Sequence, residues 1–197
     1  MTPIVLASAS KARIAMLDAA GVPFTARPAP IDERAVEAPL VAAGAAPAAI
    51  AMALAEAKAI AVGRAEPDAI VIGADQTLEL DGARWVKPAT LAEARSQLAR
   101  LSGRTHALHT AVAAARGGSV VWRHAESARL TVRQLSAAFI DRYLERVGEA
   151  ALASVGAYQI EGFGIRLFDA IDGETFAILG LPLLPLLAFL RRERAIE

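Results

Sequence analysis

The chain contains no cysteine, which excludes disulfides, thiolate metal sites and a cysteine nucleophile. Aromatic residues make up 5% of its 197 residues against 55% hydrophobic, so a core has to be assembled from alanine, leucine, isoleucine and valine. Net charge is missing as well, since Lys plus Arg and Asp plus Glu number 21 each. That balance gives no overall attraction to nucleic acid or to an anionic membrane. An anion site would have to be local. Lysine is scarce too: Lys11, Lys58 and Lys87 are all there are.

Long apolar runs are also lacking. Ala38 to Ala55 is uncharged but is broken by Pro39, Gly44 and Pro47. Phe176 to Leu190 carries Gly180, Pro182 and Pro185 and falls short of the roughly 20 residues that a membrane span needs. Both segments read as buried core elements. The opening Met-Thr-Pro-Ile-Val-Leu-Ala-Ser has no basic stretch and too short an apolar run for a signal peptide, so the expectation is a soluble, cytoplasmic protein. Neither GxGxxG nor GxxxxGK[ST] occurs, which argues against Rossmann cofactors and P-loop phosphate binding. His106, His109 and His124 lack zinc-site spacing, and no metal is assigned to them.

What is present alternates between strand and helix patterns. Ile4–Ala7 and Val22–Ala26 read as strands, with a helix over Lys11–Ala20 between them. Pro28, Pro30 and Asp32-Glu33 mark a loop, followed by an alanine-rich helix over Ala48–Gly63. Ala69–Gly73 is an apolar strand, and Asp81-Gly82 is a tight-hairpin signal between Thr77–Leu80 and Arg84–Val86. A helix over Leu91–Leu101 leads to two long strands, Thr105–Ala115 and Ser119–Val132, joined around Gly117-Gly118. Helices over Ala137–Val147, capped by Ser136, and Pro182–Arg192 complete the pattern. Hairpins interrupt the alternation, so the expected fold class is α/β with a mixed sheet flanked by helices.

Several residues could carry chemistry. Ser8, Ser10 and Arg13 sit at a strand-to-helix turn, where hydroxyls, backbone N–H groups and a guanidinium can bind phosphate oxygens. Ser10 reads equally as a helix N-cap and Arg13 as a solvated helix residue. Asp75 follows an apolar strand, where open α/β sheets place functional groups. Its carboxylate could activate water or hold a divalent ion, or simply initiate a turn. Glu33, Lys58 and Lys87 fit either a phosphate and metal site or a solvated surface.

The same residues carry a resemblance along nearly the whole chain. Leu6-Ala-Ser-Ala-Ser-Lys-Ala-Arg13, Ile31-Asp-Glu33, Ala55-Glu-Ala-Lys-Ala59, Gly73-Ala-Asp-Gln76 and Lys87-Pro88 come in that order. Ser102-Gly-Arg-Thr-His106 with Thr110, Gly156-Ala-Tyr-Gln-Ile-Glu-Gly162 and Gly180-Leu-Pro-Leu183 follow. Together they resemble the motifs of the Maf family. That resemblance implies a single domain of two lobes with an active cleft between them, similar to inosine-triphosphate pyrophosphatases. It also implies hydrolysis of a nucleoside triphosphate to monophosphate and pyrophosphate with a divalent cation, Mg²⁺ or Mn²⁺, commonly in a homodimer.

On that basis Asp75 is the catalytic carboxylate, Glu33 joins it at the metal, and Ser8, Ser10, Arg13, Lys58 and Lys87 hold the substrate. Ala12, Gln76 and Glu161 fall where the family sets its base preference. Gln76 and Glu161 resemble the branch acting on 7-methyl-GTP, whereas the branch acting on dTTP and UTP has Thr and Gln there. Ala12 stands where the 7-methyl-GTP branch often has an aromatic residue. Two other readings are a dTTP/UTP pyrophosphatase and a non-catalytic nucleotide-binding regulator of cell division.

Overall fold

The computed structural model of the protein describes residues 2–197. It contains strands β1 (Ile4–Leu6), β2 (Thr25–Ala26), β3 (Ile70–Leu80), β4 (Ala83–Trp85), β5 (Thr105–Arg116), β6 (Ser119–Val132) and β7 (Phe168–Asp172). The helices are α1 (Lys11–Ala19), α2 (Glu33–Ala42), α3 (Pro47–Gly63), α4 (Leu91–Leu101), α5 (Ala137–Val147), α6 (Thr175–Ile178) and α7 (Leu183–Arg192). The strands form a seven-stranded sheet in the order β2-β1-β3-β5-β6-β7, with β4 paired to β3. β1 runs parallel to β2 and β3, while the β3–β4 and β6–β7 pairs are antiparallel. The sheet is mixed, as the sequence implied.

The chain divides into two compact units. One holds Met1–Gln76, His109–Ser127 and Glu174–Glu197; the other holds Thr77–Leu108 and Ala128–Gly173.

In the first unit the period-2 alternation of the strands sorts residues onto two faces. Ile4, Leu6, Ile70, Ile72, Ala74, Val112 and Ala114 pack with Met16 and Leu17 of α1 and with Leu186, Phe189 and Leu190 of α7. The opposite face is lined by much smaller side chains. Ala51, Ala55 and Ala59 of α3 meet Ala111, Ala113 and Ala115 of β5, and Val62 meets Val5, Ala69 and Val71. Methyl-sized side chains let a helix lie close on a sheet, which explains the abundance of alanine and the scarcity of aromatics. Gly73 takes this furthest. A Cβ there would stand 2.7 Å from the Ala59 amide nitrogen and closer still to the Ala55 carbonyl.

In the second unit α4 and α5 each direct a few apolar residues inward, Ala94, Leu98 and Leu101 from one and Ile140, Tyr143 and Leu144 from the other. Thr90 and Ser136 cap them by accepting the Glu93 and Phe139 amide hydrogens. Among the described residues no helix is long and apolar enough to cross a membrane.

Four expectations need correction. Asp32-Glu33 does not lie in a loop: Asp32 caps α2 by accepting from the Arg34 and Ala35 amides, and Glu33 is the first helical residue. The helix continues through Pro39 although an interior proline removes one backbone hydrogen bond. Ala38 to Ala55 is not uniformly buried, because α2 buries none of its residues whereas α3 buries many; alanine suits either setting. Asp75 does not follow its strand but stands inside it, since β3 runs unbroken from Ile70 to Leu80. β2 is also shorter than expected, starting at Thr25 rather than Val22.

Candidate active site

Strand parity aims Asp75 at α3. It shares the face of Ala69, Val71 and Gly73, and the close approach at Gly73 brings α3 over it. Lys58 projects from α3 on that side, its Nζ 2.6 Å from Asp75 Oδ1 and 2.7 Å from Glu33 Oε1 at the start of α2. Lys58 and Asp75 have largely buried side chains, 11% and 13% exposed, whereas Glu33 is 54% exposed. Fixing one ammonium between two carboxylates, two of the three groups out of bulk water, holds the charges in register.

β1 matches β3 from Ile70 to Ile72 and β4 from Leu78 to Leu80. Asp75 therefore lies on a stretch of β3 past the end of β1. The strand-end logic holds for β1 rather than for the strand that carries the carboxylate.

Arg13 is not a solvated helix residue. Its Nε donates to the Gly180 carbonyl at 2.7 Å, and Nη1 donates to the Ala74 carbonyl at 2.9 Å and to Ser8 Oγ at 3.3 Å. Burial lowers its pKa from the ordinary value, opposed by the Asp75 and Glu33 carboxylates. Ser8 is buried, and its hydroxyl also accepts from the Ser10 amide. Ser10 caps α1 by accepting from the Arg13 amide at 3.4 Å. The turn after β1 is thus a small hydrogen-bonded cradle, with Ala12 on the first turn of α1.

Gln76 has the opposite parity to Asp75 and faces away from α3. Its Nε2 lies 2.8 Å from Thr110 Oγ1, 3.1 Å from the Ala177 carbonyl and 3.0 Å from the Ile178 carbonyl. The Thr110 hydroxyl donates to the Ala177 carbonyl at 2.8 Å. Sequence reasoning assigned no role to Thr110 or to the carbonyls of 177, 178 and 180. Thr110 was visible as a motif residue, but no sequence signal marks a backbone carbonyl.

Lys87 and Glu161 belong to the second unit, and both are exposed. That unit contains a different buried polar group. His106 is 2% exposed and its Nε2 lies 2.6 Å from the Tyr158 hydroxyl, while its Nδ1 has no partner among the described residues. Burial pushes the His106 pKa down to about 4 and raises that of Tyr158. Phe168 packs against both rings. The pair is neutral near pH 7.

The mixed α/β sheet, with two carboxylates, an ammonium and a guanidinium gathered near the end of β1, places the chain among α/β proteins. More narrowly, the Maf-like protein family model matches residues 3–193, and the chain belongs to that family. It is 56% identical over 194 residues to a protein of Brucella abortus named 7-methyl-GTP pyrophosphatase, with 98% of each chain covered. A protein of the same name from Rhizobium johnstonii is 54% identical over 198 residues and covers both chains fully. A protein of Rhodopseudomonas palustris named nucleoside triphosphate pyrophosphatase is 52% identical over 193 residues, covering 98% of this chain and 94% of its own.

Proposed function

We propose that the protein hydrolyses a nucleoside triphosphate to the monophosphate and pyrophosphate, with 7-methyl-GTP as the favoured substrate. The observation that carries the reaction is the largely buried Asp75 paired with Lys58 on the face where α3 closes on β3. The names of the relatives support both the reaction and the base. Asp75 accepts a proton from water as the water oxygen bonds to the α phosphorus. The bond from that phosphorus to the bridging oxygen then breaks, and pyrophosphate leaves with the electron pair. Phosphoryl-transfer catalysis consists chiefly of positioning and charge neutralisation, which falls to Lys58 and Arg13, with Ser8 and Ser10 at the turn. The resemblance adds Lys87 as a further phosphate ligand and Glu161 as a reader of the base.

A divalent cation fits the donor set. Asp75 and Glu33 offer oxygen ligands around one point, now bridged by Lys58. Among the described residues no group of three or more His, Cys, Asp and Glu could hold a metal. An ion held by two carboxylates and completed by water and phosphate oxygens suits Mg²⁺ or Mn²⁺. Such an ion would supply charge neutralisation for the triphosphate.

Phosphorus NMR of the products formed from 7-methyl-GTP, UTP and dTTP with Mg²⁺ or Mn²⁺ tests the proposal. Monophosphate and pyrophosphate are expected, with activity lost on adding EDTA. Phosphate and a diphosphate would overturn the reaction, and a preference for UTP or dTTP would overturn the base. The proposal includes a homodimer, checked by light scattering.

A further inference from the structure

The Gln76 amide carries two hydrogens and faces three acceptors. The Thr110 hydroxyl spends its own hydrogen on the Ala177 carbonyl, so its oxygen is free to accept one hydrogen from Gln76. The second is shared between the Ala177 and Ile178 carbonyls. This arrangement fixes the amide, because the flipped form would turn Oε1 toward two carbonyl oxygens. Neither hydrogen remains to donate to a nucleobase.

The residues held in this way form α6, a helix of four residues too short to be stable by itself. Two positions beyond Ile178, the Gly180 carbonyl accepts from Arg13 Nε, and Arg13 Nη1 reaches the Ala74 carbonyl, next to Asp75. Gly180 has φ +102°, a backbone setting that favours glycine and directs this carbonyl. Thr110 and Gln76 are therefore linked to Arg13 by hydrogen bonds at either end of the backbone segment from Ala177 to Gly180.

We propose that Thr110 and Gln76 are positioning residues. They hold the α6 turn so that Gly180 orients the Arg13 guanidinium, and position 76 influences substrate choice through this turn and not by donating to the base. The inference rests on the pyrophosphatase reading for its substrate but not for its hydrogen-bond network. Thr110 separates the two routes to selectivity, since at 2% exposure its side chain is closed off from a substrate.

The test compares Thr110→Val, which keeps the shape and deletes the hydroxyl, with Thr110→Ser, which keeps the hydroxyl. Thr110→Val should raise KM about tenfold, the scale of one lost hydrogen bond, with kcat largely kept and the ratio of kcat/KM for 7-methyl-GTP over UTP altered. Thr110→Ser should restore both values. Amide hydrogen exchange of residues 177–181 should quicken in Thr110→Val and not in Thr110→Ser. Unchanged exchange, or a Thr110→Val enzyme with wild-type KM and base ratio, would overturn the proposal. A uniform fall in kcat with a lowered Tm and no change in the ratio would also count against it. If the wild-type chain proves not to hydrolyse triphosphates, equilibrium affinities for 7-methyl-GTP and UTP replace the kinetic values. Hydrogen exchange then still decides the network by itself.

Discussion

Each unit withdraws titratable side chains from water, and each does so differently. The first brings Asp75, Lys58 and Arg13 out of bulk solvent as ions, so that each needs a partner. The second buries His106 and Tyr158 as neutral groups sharing one hydrogen bond, with Nδ1 left over. Charged groups are costly to desolvate and are tolerated when paired, whereas neutral rings cost less and can fill space. The difference separates a cluster of paired ions from a neutral polar contact. It also predicts that substitutions at the paired ions Asp75 and Lys58 act on turnover and those at the buried His106 on stability.

The largest effect expected from this contrast is at Asp75. Asp75→Asn removes the proton acceptor while keeping the shape, and should lower turnover by about 10²- to 10⁴-fold with the fold intact by circular dichroism. Near-normal turnover in a folded variant would break the contrast.

The second unit should respond instead to acid. With its folded pKa near 4, below the ordinary 6.5, His106 takes up a proton more readily in the unfolded chain. Its contribution is present above pH 6.5 and is lost as pH falls from 6.5 to 4. The loss should be on the order of 3 kcal/mol, seen as a steeper decline in denaturation midpoint than in His106→Gln. Identical acid profiles for the two proteins would contradict it.

Gly73→Ala sharpens the comparison from the side of packing. Its methyl group meets α3 backbone, and overpacking of this kind costs about 1–3 kcal/mol. Because the displaced helix carries Lys58, activity should fall further than stability alone explains, measured as kcat/KM at a temperature where the variant is folded. A smaller effect still is expected at Glu161→Gln, which should reduce the preference for 7-methyl-GTP over UTP by several-fold, about the scale of one hydrogen bond at an exposed side chain. An unchanged ratio would remove Glu161 from base reading.

Much of the architecture is legible in the residues. The ranges of α4 and α5 follow directly from amphipathic spacing and, for α5, from Ser136 as a cap, and β5 and β6 follow from a long run divided by Gly117-Gly118. α2 escaped because Pro39 and the flanking prolines outweigh the cap signal of Asp32 in any local reading. The gathering of Lys58, Glu33 and Asp75 was implied by motif order, but their contact depends on Gly73 and on the alanines of α3. Those residues look featureless until a sheet lies beneath them. For Gln76 the residue was identified without its partners, because carbonyls of 177 and 178 become acceptors only once α6 is folded.

The alanine seam between α3 and β5 has a consequence for motion. Alanine and glycine have no side-chain rotamers, so this contact loses no side-chain entropy on folding and has no alternative packing to hop into. The spacing that brings Lys58 to Asp75 is therefore set by covalent geometry and not by the choice among staggered states. A seam of leucines would have alternative rotamers to repack into. This one acts as a fixed spacer, and heating should loosen it only when α3 leaves the sheet altogether.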